Sequence, residues 1–243
     1  MTIDLVVFDM AGTTVHDKNE VQSCFEAALV KSGLEIPAER ILALQGWSKR
    51  RVFQLLWTEH LGQGHPEIEK KVDETYALFR EVLENHYKTH PVIPQPFAED
   101  LFKNLKQKGI KIGLTTGFYR EVTDLILQQL NWDKGLNSDY IAEGESIIDV
   151  SVCSDDVKNG RPAPDMIQLA MEKLDLKDPK RVINIGDTPS DLQSGKAADV
   201  GISLGVVNGT HSRDQLMVFE NDGLLRDLSE LTDYIDTQAS IVV

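Results

Sequence analysis

The sequence predicts an α/β fold in which a parallel sheet carries helices on both faces and an inserted helical bundle forms a cap. From about residue 91 onward, short apolar runs alternate with segments of helical periodicity. This alternation is typical of parallel strands joined by helical crossovers. Between the first apolar run and that region, only helical periodicity is found. The expected organisation is therefore a Rossmann-like core of residues 1–17 and 91–243 with a cap of residues 18–90.

Composition narrows the classes of function. The chain has 243 residues and a net charge of −14, which argues against nucleic acid and anionic membranes as partners. The first apolar run is interrupted by Asp9, so it indicates neither a signal peptide nor a membrane span. Two cysteines, Cys24 and Cys153, do not suggest a disulfide framework, and a cytoplasmic location is expected.

The elements follow from periodicity and from helix-start signals. Residues 3–8 are apolar throughout and are expected to form a buried strand. In the cap, Pro37, Ser48 and Pro66 mark helix starts, and three prolines in residues 91–96 mark the return to the core. The core is then expected to contain helices at residues 98–108, 120–130, 163–174, 191–198 and 225–235, and strands at 110–114, 148–153, 181–185 and 200–204.

Polar residues follow four of the predicted strands. They are Asp9, the pair Thr116 and Gly117, Arg161, and Asp187 with Asp191. In parallel α/β sheets, ligands bind at the carboxyl ends of the strands, so these side chains are expected to converge. Asp9 and Asp187 can hold a hard cation between them, and two carboxylates with a backbone carbonyl and waters suit Mg²⁺.

The same strand ends suit a phosphoryl group. The hydroxyl of Thr116 and the N–H groups of Gly117 and Phe118, at a predicted helix start, can bind phosphoryl oxygens. Arg161 adds positive charge for those oxygens and for Asp9. Together these residues predict an aspartate nucleophile that attacks phosphorus, with Mg²⁺ and the arginine neutralising charge.

Four segments together resemble the motifs of the haloacid dehalogenase superfamily: residues 9–13, 114–117, 160–165 and 186–191. They occur in the family's order and span nearly the whole chain. The helical insert lies where that superfamily has a small helical cap. Within the superfamily, the Asp-x-Ala-Gly-Thr-Thr sequence and the aromatic residue after Thr-Thr-Gly are similar to the phosphonoacetaldehyde hydrolase (phosphonatase) group.

The resemblance implies roles for particular residues. Mg²⁺ is expected at Asp9, the Ala11 carbonyl, Asp187 and Asp191. A small phosphorylated or phosphonate substrate is expected to contact Gly12, Thr13, Lys49, Thr116, Gly117 and Arg161. The expected catalytic residues are Asp9, Lys49, Thr116 and Arg161. The resemblance also suggests a homodimer formed through the cap.

Most phosphatases of the superfamily have an acid–base aspartate two residues after the nucleophile, and this chain has Ala11 at that position. An alanine transfers no proton, and such help contributes about 10²–10⁴-fold to a rate. Either the leaving group needs no acid, or the proton comes from elsewhere, for which His16 is one candidate.

The cap contains a Gly-x-x-Lys turn at residues 46–49 that resembles the turn carrying the reactive lysine of phosphonatases. The resemblance implies that Lys49 forms a Schiff base with an aldehyde, so that the P–C bond breaks toward Asp9. The amine must be neutral to attack, and the following Arg50 and Arg51 are expected to lower its pKa if they face the site.

Other interpretations stay open at this stage. Related phosphatases and mutases use a basic residue in this turn only to bind substrate. The chain also has Val52, Phe118 and His16 where phosphonatases have histidine, tyrosine and aspartate. The alternatives are a phosphatase or phosphomutase for a small phosphoester, and an inactive member that binds a phosphorylated ligand. Retention of all four motifs argues against the inactive form.

Overall fold

The computed structural model describes residues 2–240, with side chains described for residues 2–237. Residue 1 and residues 241–243, at the ends of the expected core domain, lie outside the described residues. The α/β prediction is confirmed, since six parallel strands form one sheet in the order β3-β2-β1-β4-β5-β6. The strands are β1 (Leu5–Asp9), β2 (Lys111–Thr116), β3 (Val150–Cys153), β4 (Val182–Gly186), β5 (Ile202–Val206) and β6 (Gly223–Leu225).

The helices of the described chain fall into two groups. Four lie between β1 and the rest of the core: α1 (Glu20–Ser32), α2 (Ala38–Leu42), α3 (Lys49–Leu61) and α4 (Ile68–Thr89). The others are α5 (Ala98–Gln107), α6 (Arg120–Leu130), α7 (Asp165–Lys173), α8 (Pro189–Ala197), α9 (Arg213–Met217) and α10 (Leu231–Ser240). Among the described residues, no helix is both long and apolar enough to cross a membrane.

Strand β1 lies at the centre of the sheet because it is apolar on both faces. All five of its residues are buried, and it pairs with β2 on one side and with β4 on the other. The strand order changes direction at this point, which is where α/β sheets form ligand sites. The end of β1, at Asp9, is therefore placed at the centre of the candidate site.

The helical insert is built around three aromatic rings. The rings of Phe25 and Phe53 stack with centroids 4.5 Å apart, and the edge of Phe79 packs on both at 5.7 Å. These residues belong to the same continuous apolar cluster as the sheet residues Phe8 and Leu114. Insert and sheet are thus packed as one body, and the division into two domains stays a prediction.

Two connections join the insert to the core, and they run side by side. The amide of His16 donates to the Ile93 carbonyl at 2.9 Å, and the amide of Gln95 donates to the Thr14 carbonyl at 2.8 Å. These paired backbone bonds fix the direction in which the chain leaves β1. They determine which residue after Val15 turns toward the site.

The end of the chain differs from the prediction. Residues 225–235 do not form one helix: Gly223–Leu225 is strand β6, Leu228–Glu230 is a short 3-10 helix, and α10 begins at Leu231. Helix α9 was not predicted either. Elements of three to five residues are too short to show a period, and β6 forms because β5 offers it a parallel partner.

Candidate active site

The carboxyl ends of neighbouring strands bring the predicted residues together. Asp9 lies opposite Thr115 in the pairing of β1 with β2, and Asp187 directly follows β4 on the other side of β1. The side chains of Asp9, Thr116 and Asp187 are all buried. The sheet therefore places these carboxylates and the Thr116 hydroxyl at adjacent strand ends.

Arg161 is buried among the acids and does not line the cavity described below. Its Nη1 donates to Asp9 Oδ1 at 2.5 Å and lies 2.8 Å from Asp191 Oδ1. Its Nη2 donates to the Thr115 carbonyl at 2.9 Å. In this structure the guanidinium is thus held by protein oxygens, and it fixes the orientation of Asp9.

Asp9, Asp187 and Asp191 form a buried acidic cluster. Each offers a carboxylate oxygen within 4.8 Å of the others, and no second such cluster of possible metal ligands occurs among the described residues. Burial raises the pKa of Asp9, and it raises the pKa of Asp187 to about 6. Three carboxylates against the single charge of Arg161 leave an excess that a divalent cation would balance. Oxygen donors at this spacing fit Mg²⁺.

Asp187 is held by threonines and by close backbone. It accepts from Thr13 Oγ1 at 3.0 Å, from the Thr210 amide at 2.7 Å and from Thr210 Oγ1 at 2.8 Å. A Cβ at Gly12 or Gly209 would lie 2.3 Å from Asp187 Oδ2. Thr13 and the space beside Gly12 adjoin Asp187, and the expected contact of both residues with substrate stays a prediction. Thr210 was not predicted, although its place after β5 at the same sheet edge was a usable signal.

The loop after β2 contacts the helical insert. The Phe118 amide, expected to be free for a phosphoryl oxygen, donates to Thr116 Oγ1 at 3.1 Å. Helix α6 begins at Arg120, so Gly117 and Phe118 precede it. A Cβ at Gly117 would lie 2.7 Å from the Gly46 carbonyl oxygen. This loop therefore leaves no space for a side chain between core and insert.

The turn of residues 45–48, here called the cap turn, packs on the core. Ser190 Oγ donates to the Gln45 carbonyl at 3.1 Å. Gly46 has φ +80°, and a Cβ there would lie 2.2 Å from Ser190 Oγ and 2.6 Å from Thr188 Oγ1. Both the backbone conformation and the lack of space require glycine at this position.

Lys49 is the first residue of α3, directly after the cap turn, and its side chain is 7% exposed. Burial lowers the pKa of its ammonium to about 8, while the negative charges of Asp9 and Asp17 act in the opposite direction. A larger fraction of the amine is therefore neutral near pH 7 than for an exposed lysine.

The condition on which Arg50 and Arg51 were expected to lower the pKa of Lys49 is not met, because neither arginine faces it. Arg50 forms ion pairs with Glu69 at 3.2 Å and with Asp73 at 2.8 Å on α4. The guanidinium of Arg51 lies 5.0 Å from the centre of the Trp47 ring. Consecutive helix positions point about 100° apart, so neither side chain shares the direction of Lys49.

A narrow cavity, with about 30 Å³ open to water-sized spheres, lies between the sheet and the insert. The described residues that line it are Asp9, Ala11, Asp17, Val21, Gln45, Gly46, Lys49, Thr116, Gly117, Phe118 and Thr188. The cavity thus brings the first motif, the second motif and the cap turn into contact with one space.

Asp17 is the titratable lining residue that sequence reasoning missed. The proposed relay residue, His16, does not line the cavity, whereas the next residue does. The amide of His16 is bound to the Ile93 carbonyl, and this pairing directs Asp17 toward Lys49. In the sequence, Asp17 is marked only by its place next to His16, at the expected boundary between core and cap.

Comparisons with known proteins identify the family of this chain. Residues 3–199 match the model of the haloacid dehalogenase-like hydrolase family. The chain is 31% identical over 225 residues to phosphonoacetaldehyde hydrolase of Bacillus cytotoxicus, covering 84% of this chain and 77% of the relative. It is 29% identical over 251 residues to phosphonoacetaldehyde hydrolase of Bacillus cereus, covering 97% and 86%.

Solved structures share the fold over nearly the whole chain. A hydrolase from Pseudomonas syringae superposes with a TM-score of 0.79 at 19% identity, covering 98% of this chain and 99% of that chain. A phosphonoacetaldehyde hydrolase-like protein from Oleispira antarctica superposes with a TM-score of 0.78 at 18% identity, covering 98% and 92%.

Proposed function

We propose that this chain, which belongs to the haloacid dehalogenase-like hydrolases and to their phosphonatase-like group, releases phosphate from a small phosphonate aldehyde. The substrate is phosphonoacetaldehyde or a close analogue, and the reaction breaks its P–C bond. One observation carries the proposal: Lys49 and Asp9 line the same small cavity, and Ala11 beside them offers no acid. The names of the curated relatives support the same chemistry.

The first step is attack by Lys49. Its neutral amine adds to the aldehyde carbon, a C–N bond forms, and the aldehyde oxygen leaves as water to give an iminium ion. The burial that lowers the pKa of Lys49 to about 8 supports this step. The iminium then withdraws electrons from the neighbouring carbon.

The second step is attack by Asp9 on phosphorus. The P–C bond breaks, and its electron pair forms the double bond of an enamine while the nitrogen becomes neutral. Because the leaving atom is carbon with an electron sink, no acid is needed where Ala11 stands. Arg161 holds Asp9 in position for attack, and the hydroxyl of Thr116 is placed to contact a phosphoryl oxygen.

The remaining steps release the products and restore free Lys49 and Asp9. The enamine carbon takes a proton, water adds to the resulting iminium, and acetaldehyde leaves Lys49. A second water attacks the phosphorus of the aspartyl phosphate and frees Asp9. Asp9, Asp187, Asp191 and the Ala11 carbonyl would hold Mg²⁺, which supplies charge neutralisation for the phosphoryl oxygens.

A second candidate is a phosphatase or phosphomutase for a small phosphoester. The observation that favours it is the charge around Lys49, where Asp9 and Asp17 both stabilise the ammonium form. In that form Lys49 would bind phosphate as a cation and would not attack an aldehyde. This enzyme would gain activity on phosphoesters from Ala11→Asp, because the change supplies the missing acid.

Other parts of the account stay predictions from the sequence. They are the division into a core of residues 1–17 and 91–243 and a cap of residues 18–90, a cytoplasmic location, and a homodimer formed through the cap.

Lys49→Arg distinguishes the two candidates because arginine keeps the positive charge but does not form the iminium. For the phosphonatase, we expect phosphate release from phosphonoacetaldehyde to fall on the order of 10³-fold or more. Lys70→Arg, at an exposed position of α4, is the matched control and should change nothing. Cleavage of the P–C bond by Lys49→Arg within tenfold of wild type would refute the Schiff base. Retention of phosphoester hydrolysis alone would favour the second candidate.

A further inference from the structure

We propose that Asp17 is an acid–base catalytic residue of this site, which supplies the proton for dehydration at Lys49 and recovers it when the product leaves. The inference rests on the proposed Schiff-base function. It assigns to the start of the insert the proton transfers that formation and hydrolysis of the iminium require.

The position of Asp17 carries the inference. Among the described residues that line the cavity, only Asp9 and Asp17 have carboxyl groups. Asp9 attacks phosphorus in the proposed mechanism and accepts a hydrogen bond from Arg161. Asp17 lines the cavity together with Lys49 and acts on its charge, so it is the carboxyl available to the carbon end of the substrate.

Backbone amides bind one oxygen of the Asp17 carboxyl, which orients the group and leaves the other oxygen without a backbone donor among the described residues. Oδ1 accepts from the Glu20 amide at 2.7 Å and from the Val21 amide at 3.4 Å. These bonds satisfy amides at the start of α1, as a helix cap does. The carboxyl group of Glu20 lies beside that of Asp17 and raises the pKa of Asp17.

The groups facing Asp17 support a protonated form near neutral pH. Glu20 and Cys24 face it from α1, Lys49 from α3 and Tyr87 from α4. Burial, followed by the neighbouring Glu20 carboxyl, raises the pKa of Asp17 to about 7. A pKa near the working pH suits a group that both donates and accepts a proton.

The proton transfers balance over the cycle. After the Lys49 amine has added to the aldehyde, the Asp17 carboxyl donates its proton to the new hydroxyl. The C–O bond breaks, water leaves, and the nitrogen lone pair forms the iminium beside the Asp17 carboxylate. P–C cleavage then proceeds, and the enamine carbon takes a proton from solvent. When water adds to the product iminium, its proton passes to Asp17, and the C–N bond breaks to release the aldehyde and the neutral amine.

Asp17→Asn tests this role because asparagine keeps an acceptor for the Glu20 amide and cannot ionise. Borohydride added at short times after mixing with phosphonoacetaldehyde measures how fast the Lys49 iminium forms. We expect formation to slow by about 10²–10⁴-fold, with partial recovery in Asp17→Glu. The matched control is Asp178→Asn, another acid that accepts from a backbone amide at a helix start, and it should have no effect.

The pH profile separates catalysis from a structural role. In the wild type, iminium formation should decline above about pH 8, since it needs protonated Asp17, whereas the profile of Asp17→Asn should rise and level off. Formation at the wild-type rate in Asp17→Asn would overturn the inference and leave the Schiff base intact. A wild-type enzyme that forms no iminium would overturn both, so the two failures are distinguishable.

Discussion

The two walls of the cavity are built in different ways. On the core wall, Asp9 and Asp187 are fixed by Arg161, Thr13 and Thr210. On the insert wall, the described residues give the Nζ of Lys49 no hydrogen bond or ion pair, and Nζ lies 6.0 Å from the centre of the Phe25 ring. The core wall is organised for charge, and the insert wall leaves an amine free to react.

This difference assigns separate tasks to the walls. A fixed acidic cluster suits phosphoryl transfer, which depends mainly on positioning and charge neutralisation. A buried and unpaired amine suits covalent chemistry on carbon. Gly46 joins the walls, because the cap turn contacts Ser190 and Thr188 of the fourth motif.

The largest effect is expected from Asp9→Asn, which removes the nucleophile from the core wall. Phosphate release should fall on the order of 10⁴-fold or more. The fold should persist, because the change also removes a buried charge close to Asp187 and Asp191. Phosphate release and a thermal melt measure the two effects. Turnover near the wild-type rate would show that phosphorus is attacked by another group.

Gly46→Ala separates the walls without altering either reacting group. A methyl group at φ +80° would meet Ser190 Oγ, so the cap turn has to move. Displacement of about 1 Å costs on the order of 10²-fold in rate, and we expect that loss in kcat/KM.

Gly64→Ala is the control, since Gly64 has φ +81° and no atom within 4 Å of an added Cβ. It should cost about 1 kcal/mol of stability and leave kcat/KM unchanged. Equal losses of activity in the two variants would mean that contact between the walls is not required.

The pH dependence of iminium formation reports the insert wall alone. The amine of Lys49 is neutral above its pKa of about 8, and Asp17 is protonated below about 7. Below pH 7 the rate should therefore rise roughly tenfold per pH unit, as the neutral amine increases. Borohydride trapping at each pH measures it. A flat profile from pH 5 to 7 would contradict attack by a titrating amine.

The smallest effect is expected from Thr210→Val, which tests whether Thr210 positions Asp187 on the core wall. The change removes the hydroxyl donor to Asp187 and keeps the backbone donor. We expect the Mg²⁺ concentration for half-maximal activity to rise about tenfold, with activity restored at high Mg²⁺. Thr58→Val, whose hydroxyl serves only the Gln54 carbonyl of its own helix, should leave that concentration unchanged. Lost activity that Mg²⁺ does not restore would indicate a different role for Thr210.

The two walls also differ in how far the sequence predicts them. Asp9 and Thr116 end their strands and Asp187 directly follows one, so strand order and topology bring the three residues together. Thr210 follows β5 in the same way, but the strand was expected to end at residue 204 and is Ile202–Val206.

The insert wall depends on contacts between distant segments. Asp17 faces the cavity because its connection pairs with residues 93–95, and Arg50 points away because α4 carries its acidic partners. Neither contact is encoded in local periodicity. The short elements β6 and α9 were missed for the same reason, since they form against neighbours rather than from their own pattern.

The proposed mechanism requires that Lys49 bonds covalently to the carbon of the substrate. Borohydride added during turnover of phosphonoacetaldehyde converts an iminium into a stable secondary amine, and peptide mass spectrometry locates it. We expect an ethyl group on Lys49, because borohydride reduces the iminium that remains after P–C cleavage. Activity should be lost at the same time. Unmodified Lys49 and full activity, while phosphate is still released, would contradict this mechanism.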